Sequence, residues 1–247
     1  MTEAEDWEGW EEEVAAPLAP PPADATAALA QLAALADPQK AAEMAAYHKA
    51  DRPYLGVAVP QIEVLTRDWR QGMDLEARLA LAADLWASNV HEGRIAAARL
   101  LTQARIRPDQ AVWQMFCGWV GDFDAWAIAD HACKAGERRI MADLSRLDTV
   151  EKWLQSPSLW SRRAALVATL PLTKLTHPKP AELAARERVL GWAAALADDP
   201  EWFIQKAVGW WLRDLSRHDP ARVKAFLADH GPRLKSFARK EAARHLK

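Results

Sequence analysis

Glycine and cysteine are scarce in this chain, and long apolar runs are absent. The ten glycines form no Gly-rich loop of the kind that cradles phosphates. The two cysteines, Cys117 and Cys133, are too few for a disulfide framework or a zinc site and are interpreted as small buried hydrophobes. No run approaches the roughly 20 apolar residues of a membrane helix. These absences exclude P-loop enzymes, disulfide-rich secreted domains and membrane spans.

Motifs of the common hydrolases are missing as well. The sequence has no GxSxG elbow and no HExxH helix, and its seven histidines show no metal-ligand spacing. No helix-hairpin-helix glycine motif is present, which argues against the commonest base-flipping glycosylase fold. The N-terminus carries acids where a secretory signal would carry basic residues. We therefore expect a reduced cytoplasmic protein that uses no metal.

The net charge of −2 hides an uneven distribution. Residues 1–25 hold eight acids and no lysine or arginine, so the rest of the chain has 32 basic against 26 acidic side chains. From residue 213 to 247 there are ten basic residues against four acids. This excess suits contact with phosphates, although an ordinary solvated helical surface would show the same pattern.

The first 24 residues look like a flexible acidic tail and linker. Four prolines at positions 17 and 20–22 favour extended polyproline geometry over helix. Trp7 and Trp10 are unusual in such a segment, and the sequence does not indicate whether they contact the body or a partner. We expect residues 25–247 to form a single folded domain.

From residue 25 onwards the chain is one helical pattern after another. Apolar residues recur at spacings of three and four, no segment alternates with period two, and β-branched runs are absent. The predicted helices span 25–35, 39–51, 60–70, 75–88, 91–104, 108–119, 124–135, 138–144, 149–155, 159–170, 180–197, 202–217, 220–229 and 233–246. Short helices joined by short loops predict an all-α, curved α-solenoid of HEAT-like helical hairpin repeats. A compact helical bundle is the competing architecture.

The helix predicted at 202–217 separates into two different faces. At 100° per residue, one face carries Ile204, Val208, Trp211 and Leu215, an ordinary core stripe. The opposite face carries a basic stripe with an indole in its middle, formed by Lys206, Trp210, Arg213 and Arg217. A solvated face rarely includes tryptophan, whereas a nucleic-acid surface combines cations for phosphates with flat aromatic groups.

Two further groups combine aromatic and charged residues. Trp126 and Asp130 are spaced i,i+4 and so project from one helix face. A carboxylate beside an indole could hold a cationic organic group and stabilise developing positive charge, but a mid-helix aspartate is more often a surface charge or the partner of an arginine. Arg163 follows Trp160 closely, and a salt bridge explains it as well as a binding role does.

These residues lie within motifs that resemble a known family. From about residue 41 to the C-terminus, the chain is similar to the AlkD-type alkylpurine DNA glycosylases, which are HEAT-like repeat enzymes of DNA alkylation repair. The segments that carry the resemblance are MAAY at 44–47, YLGV at 54–57, WAIAD at 126–130, WSRRAAL at 160–166, FIQKAVGWWLR at 203–213 and ARKEA at 238–242. Residues 121–124 depart from the family pattern, which has further aromatics there, and the acidic tail is additional.

The resemblance implies a site and an activity. Asp130 would be the catalytic carboxylate, flanked by Trp126 and Trp210. Arg163 and Arg213 would hold the DNA backbone, and Tyr47 would contribute to the site; the basic stripe adds Lys206 and Arg217 as candidate DNA-binding residues. The implied reaction is hydrolysis of N3- and N7-alkylpurines from duplex DNA, without deep base flipping, metal or organic cofactor.

Two alternatives remain at this stage. A non-catalytic helical-repeat scaffold could bind DNA or a protein, and it would need the arginines but not the carboxylate. A protein-binding adaptor could instead use the acidic tail, and it would not be retained on DNA. The glycosylase reading further predicts a monomer that is nucleoid-associated and does not bind membranes.

Overall fold

The computed structural model describes residues 20–246, and within that range it contains thirteen α-helices and no strand. The predicted all-α class is therefore confirmed. The helices are α1 Ala25–Ala33, α2 Pro38–His48, α3 Val59–Gln71, α4 Leu75–Ala87, α5 His91–Leu100, α6 Gln110–Val120, α7 Trp126–Ala142, α8 Leu147–Lys152, α9 Leu159–Val167, α10 Pro180–Ala195, α11 Trp202–Ser216, α12 Pro220–His230 and α13 Ser236–Ala242. None of these helices is long and apolar enough to cross a membrane.

Aspartates begin several of the helices. The Asp37 carboxylate accepts hydrogen bonds from the backbone N–H groups of Gln39 and Lys40, and proline occupies the first turn of α2. Asp24, Asp74 and Asp219 cap α1, α4 and α12 in the same way. A side-chain oxygen at this position satisfies N–H groups that have no partner inside the helix.

The one clear error in the predicted helices concerns α7. Two helices were predicted on either side of Gly136, but the structure has one continuous helix of 17 residues. Gly136 is there for packing, because a Cβ at this position would lie only 2.1 Å from the ring of Phe116. The glycine therefore allows α6 to approach α7 closely and does not end the helix.

The helices pack as successive hairpins. An inner row runs α3, α5, α7, α9, α11 and α13, and each of these contacts the next. The helices between them pack on the outside, with α4 against α5, α6 against α7 and α12 against α11. This arrangement is the predicted curved α-solenoid and not a compact bundle. Its core is continuous, and Trp69 and Trp211 are among its fully buried side chains.

The end of the expected tail lies against the helices. Pro22 is buried, and Pro21 packs on Gly72, where a Cβ would come within 2.3 Å of the Pro21 ring. The carbonyl of Pro20 accepts a hydrogen bond of 3.1 Å from the Gln31 side chain. Trp7, Trp10 and Pro17 lie outside the described residues, so the flexible tail at residues 1–19 stays a prediction.

One buried ion-pair network holds neighbouring hairpins together. Asp109, just before α6, accepts two hydrogen bonds from Arg146, of 2.9 and 2.7 Å. Arg139 on α7 is fully buried, lies 3.4 Å from the same carboxylate and donates to the carbonyl of Gln103 at 2.6 Å. Hydrogen bonding from Arg146 lowers the pKa of Asp109. Removing this carboxylate would leave two buried guanidinium groups without their common anion.

We predict that Asp109→Ala lowers the free energy of unfolding by about 3–5 kcal/mol, since breaking a buried pair strands its partners. Denaturant unfolding would measure the change. The matched control is Asp148→Ala, which removes an exposed partner of Arg188 and should cost less than about 1 kcal/mol. Equal effects of the two substitutions would contradict a structural role for the buried network.

Candidate active site

A cavity of about 550 Å³ opens on the inner face of the solenoid, between α2 and the helices α7, α9 and α11. It is lined mainly by aromatic and charged side chains: Tyr47, His48, Lys49, Trp126, Asp130, Trp160, Arg163, Trp202, Phe203, Lys206 and Trp210. Six of the eight site residues predicted from the sequence thus lie in one cavity. The two others, Arg213 and Arg217, do not line it.

Asp130 is the carboxylate of this cavity. It projects from the second turn of α7 on the same face as Trp126, as their spacing predicts. Its side chain is 19% exposed, so it can still be reached from the cavity. Two hydrogen bonds from Arg163 fix its orientation, one from Nε to Oδ1 at 3.0 Å and one from Nη2 to Oδ2 at 2.8 Å.

Arg163 lies beneath the carboxylate and away from solvent. Its side chain is only 4% exposed, and its remaining Nη1 donates to the carbonyl of Phe203 at 2.9 Å. The phosphate contact expected for Arg163 does not fit this geometry, because the guanidinium is buried and already bound on all three nitrogens. The sequence allows either a salt bridge or a binding role for Arg163, and the structure contains the salt bridge to Asp130. The contacts of Arg163 join α7, α9 and the start of α11.

Tyr47 and His48 form one side of the cavity with Trp126. The Tyr47 ring meets Trp126 edge-on, with centroids 6.1 Å apart, and is 70% exposed. His48 lies 5.3 Å from the same indole. An exposed tyrosine supported by two half-buried neighbours offers a flat group to anything that enters the cavity.

Trp210 lines the cavity on the α11 side, and Asp214, which lies outside the lining, accepts a hydrogen bond from its indole. Its Nε1 donates to Asp214 at 3.1 Å, and the other oxygen of Asp214 accepts from Arg213 at 2.8 and 3.0 Å. Arg213 also pairs with Glu241 on α13. Arg213 is thus occupied by two carboxylates and supports Trp210 indirectly, while Arg217 is exposed at the end of α11.

A second aromatic group at the cavity was not predicted from the sequence. Trp160 packs on Phe203 with centroids 4.7 Å apart, and Trp202 meets Phe203 edge-on at 4.9 Å. Trp202 is 46% exposed, and the ammonium of Lys206 lies 4.6 Å above its ring. The i,i+4 spacing of Trp202 and Lys206 was a signal that could have placed this tryptophan at the site.

Neutral histidines support the side of the cavity formed by α2. His91 is buried and stacks on both His48 and Tyr54. Burial, followed by repulsion from His48 and Arg52, lowers its pKa to about 3. Burial likewise lowers the pKa of His131 to about 4. These imidazoles are uncharged at neutral pH, so they serve here as packing groups.

The YLGV motif has a structural explanation in the same region. The buried carboxylate of Glu92 accepts hydrogen bonds from the backbone N–H groups of residues 55, 56 and 57, at 2.9, 2.8 and 3.3 Å. Gly56 has a φ of +79° and a Cβ there would collide with the carbonyl of Asp37 at 2.1 Å. This loop fixes α2, and therefore Tyr47, against the rest of the solenoid.

Comparison with known families agrees with this architecture. Residues 28–246 match the model of a family described as DNA alkylation repair enzyme. The chain belongs to this family. Membership supports a DNA repair role and binding to DNA, and it confirms the resemblance seen in the sequence. No protein of curated function matches the chain significantly.

Solved structures of similar fold come from two bacteria. A predicted DNA alkylation repair enzyme from Enterococcus faecalis superimposes with a TM-score of 0.70 at 22% identity, covering 85% of this chain and 96% of the other. AlkD2 from Streptococcus mutans gives a TM-score of 0.57 at 20% identity, with 83% and 97% covered. The smu.31 protein from Streptococcus mutans UA159 gives 0.57 at 21%, with 76% and 93% covered. These likenesses establish the fold of this DNA alkylation repair family member.

The neutral histidines predict an acid-sensitive fold. Because the pKa values of His91 and His131 lie below the value of 6.5 expected in the unfolded chain, the unfolded state binds more protons as the pH falls from about 6.5 towards 3. Each histidine should remove up to about 1.4 kcal/mol of stability per pH unit between about pH 6.5 and its own folded-state pKa. His91→Phe should reduce this slope in denaturant unfolding, whereas Leu183→Ala, which changes an exposed side chain without a titratable group, should not. An unchanged slope in His91→Phe would contradict the assignment.

Proposed function

We propose that this protein is a DNA glycosylase that hydrolyses the N-glycosidic bond of cationic alkylated purines, the N3- and N7-alkylpurines, in duplex DNA. One observation carries the proposal: Arg163 holds the carboxylate of Asp130 in a fixed orientation in an open cavity that Trp126 and Trp210 also line. A purely DNA-binding scaffold could use the Asp130–Arg163 ion pair to join its helices, but it would not need the carboxylate to stay accessible from the cavity. The site of action would be chromosomal DNA in the cytoplasm, as for a nucleoid-associated monomer.

The chemistry of the proposed substrate explains why one carboxylate could suffice without a general acid. An N3- or N7-alkylpurine carries a positive charge, so the base leaves as a neutral molecule and needs little help from a general acid. As the C1′–N bond breaks, its electron pair goes to the base and positive charge develops on the deoxyribose. Asp130 would stabilise that charge and orient the attacking water, which adds to C1′ and loses a proton to the carboxylate or to solvent.

The aromatic sides of the cavity suit the same transition state. The faces of Trp126 and Trp210 are electron-rich and would contact the cationic sugar and the neighbouring backbone. Tyr47 would extend this surface on the α2 side. Because the cavity is open on the inner face, a lesion could be processed at the mouth of the site without being drawn into a deep base pocket, and bulky alkyl groups would be tolerated.

The positions of the cationic side chains change which of them we expect to contact DNA. Lys206 lies at the cavity and is exposed, as is Lys49, and both can reach phosphates beside the lesion. We assign Arg163 to positioning Asp130. Arg213 and Arg217 would contact DNA further along α11. Because Arg213 is already paired with two carboxylates, we expect Lys206 to contribute more than Arg213 to the affinity for DNA.

The decisive experiment measures release of 7-methylguanine from methylated duplex DNA. Asp130→Asn preserves the shape of the side chain but removes its charge, so we expect the rate to fall by about 10²–10³-fold, as for loss of a single electrostatic contact in an active site. Binding to duplex containing an abasic site should persist. The control, Asp148→Asn, alters an exposed carboxylate on α8 and should leave the rate unchanged.

Two outcomes would contradict the proposal. Full activity of Asp130→Asn would remove this carboxylate from the mechanism. Binding of DNA by the unmodified protein without any base release, from substrates carrying N3- or N7-alkyl groups, would favour the non-catalytic scaffold.

A second experiment tests the DNA-binding surface. Lys206→Gln should weaken binding to any duplex and reduce the slope of log K against log salt by about one unit, as expected for one lost phosphate contact. Lys224→Gln, on the outer helix α12, is the matched control and should leave the slope unchanged. The same slope for both variants would show that duplex DNA does not contact the cavity face at α11.

A further inference from the structure

A second cationic surface lies on α3 and α5, outside the cavity that holds Asp130. A groove of about 410 Å³ there is lined by Arg67, Arg70 and Arg99, which we call the arginine cluster. Arg67 has a side chain that is 60% exposed. Glu63 pairs with Arg99 at 2.6 Å, and Asp68 lies 3.5 Å from Arg67.

Positive charge is in excess at the arginine cluster. Burial, followed by repulsion from Arg78, Arg99 and Arg67, lowers the pKa of Arg70. The Nε atoms of Arg70 and Arg99 are buried and have no hydrogen-bond partner among the described residues. The three arginines of the cluster against two acids, Glu63 and Asp68, form a surface that an additional carboxylate or phosphate would stabilise.

An apolar groove of about 470 Å³ adjoins the arginine cluster. It runs between α1 and α3 and has no charged side chain in its lining, which consists of Gln31, Ala34, Leu35, Pro60, Gln61, Val64 and Leu65. Pro60 and Val64 line both grooves, so the two are neighbours. Leu35 is 37% exposed there, one of four large hydrophobic side chains exposed in residues 20–246. The combined surface is apolar on one side and cationic on the other.

The chain reaches this surface at Pro20. The carbonyl of Pro20 bonds to Gln31, which itself lines the apolar groove. The preceding 19 residues hold seven acids and no lysine or arginine, together with Leu18, Trp7 and Trp10. Residues 11–13 are three consecutive glutamates, and at about 3.3–3.6 Å per residue their seven- to nine-residue connection to Pro20 can extend about 25–30 Å.

We propose that the N-terminal acidic segment, residues 3–18, docks on this surface of its own chain. The carboxylates of residues 11–13 bind the arginine cluster, and Leu18 with a tryptophan side chain fills the apolar groove. DNA is the less suitable occupant, because phosphates would leave the apolar groove empty. The segment is also tethered beside the groove, which gives it a millimolar effective concentration. This inference does not depend on the proposed glycosylase activity.

Arginine footprinting of the full-length chain tests the docking. Phenylglyoxal modifies accessible guanidinium groups, and mass spectrometry gives the rate at each arginine. In the triple variant Glu11→Gln, Glu12→Gln, Glu13→Gln, Arg67 should react faster on the order of tenfold, because it loses a tethered competitor. Exposed Arg138 on α7 serves as the internal control, and its rate should stay the same in both proteins.

The apolar half of the surface is tested separately. Leu35→Ser changes an exposed side chain in the groove, and it should also increase the rate at Arg67, with circular dichroism confirming the fold. Raising the salt concentration should increase the rate in the unmodified chain but have little effect in the triple glutamine variant.

Each remaining outcome would overturn the proposal. Equal rates at Arg67 in the unmodified chain and the triple glutamine variant would show that residues 11–13 do not cover the arginine cluster. Protection of Arg67 that appears only when duplex DNA is added would assign the cluster to DNA. Protection that disappears on dilution of the protein would indicate docking between two chains instead of within one.

Discussion

The ion pair between Asp130 and Arg163 is the interaction on which the site depends. Arg163 binds the carboxylate with two nitrogens and the Phe203 carbonyl with the third, so a single buried side chain connects α7, α9 and α11. Burying a guanidinium is costly unless every donor is satisfied. Each nitrogen of Arg163 has an acceptor, and the protein itself therefore fixes the orientation of the carboxylate. The proposed stabilisation of a developing charge would require such fixed placement.

The solenoid explains why such different residues can meet in one cavity. Three consecutive inner helices supply most of the lining, two side chains from α7, two from α9 and four from α11, so the row brings Trp126, Arg163 and Trp210 to one cavity although they are far apart in sequence. Only the α2 side lies outside this row. It is fixed by Glu92, whose buried carboxylate holds the loop that follows α2. The α2 side of the cavity and the side formed by α7, α9 and α11 are thus held in place by different contacts.

Much of this arrangement follows from local sequence patterns. Helical periodicity predicts the class and the two faces of α11, and i,i+4 spacing predicts the shared face of Trp126 and Asp130. Partners from other helices are not local, and this is why the surroundings of Arg163 and Arg213 could not be predicted: a sequence shows a charge but not the carboxylates that surround it. The break predicted between residues 135 and 138 is wrong for the same reason, because the contact of Gly136 with Phe116 is tertiary.

The contacts behind Trp210 extend to α13. Glu241 on α13 binds Arg213, which binds Asp214, which in turn holds the indole of Trp210. During synthesis, the carboxylate and its arginine are made well before α13. The contacts behind Trp210 are therefore complete only once α13 has been made and has packed on α11. A chain that stops before α13 would keep Asp130 and Arg163 but would lack the carboxylate of Glu241 behind Arg213.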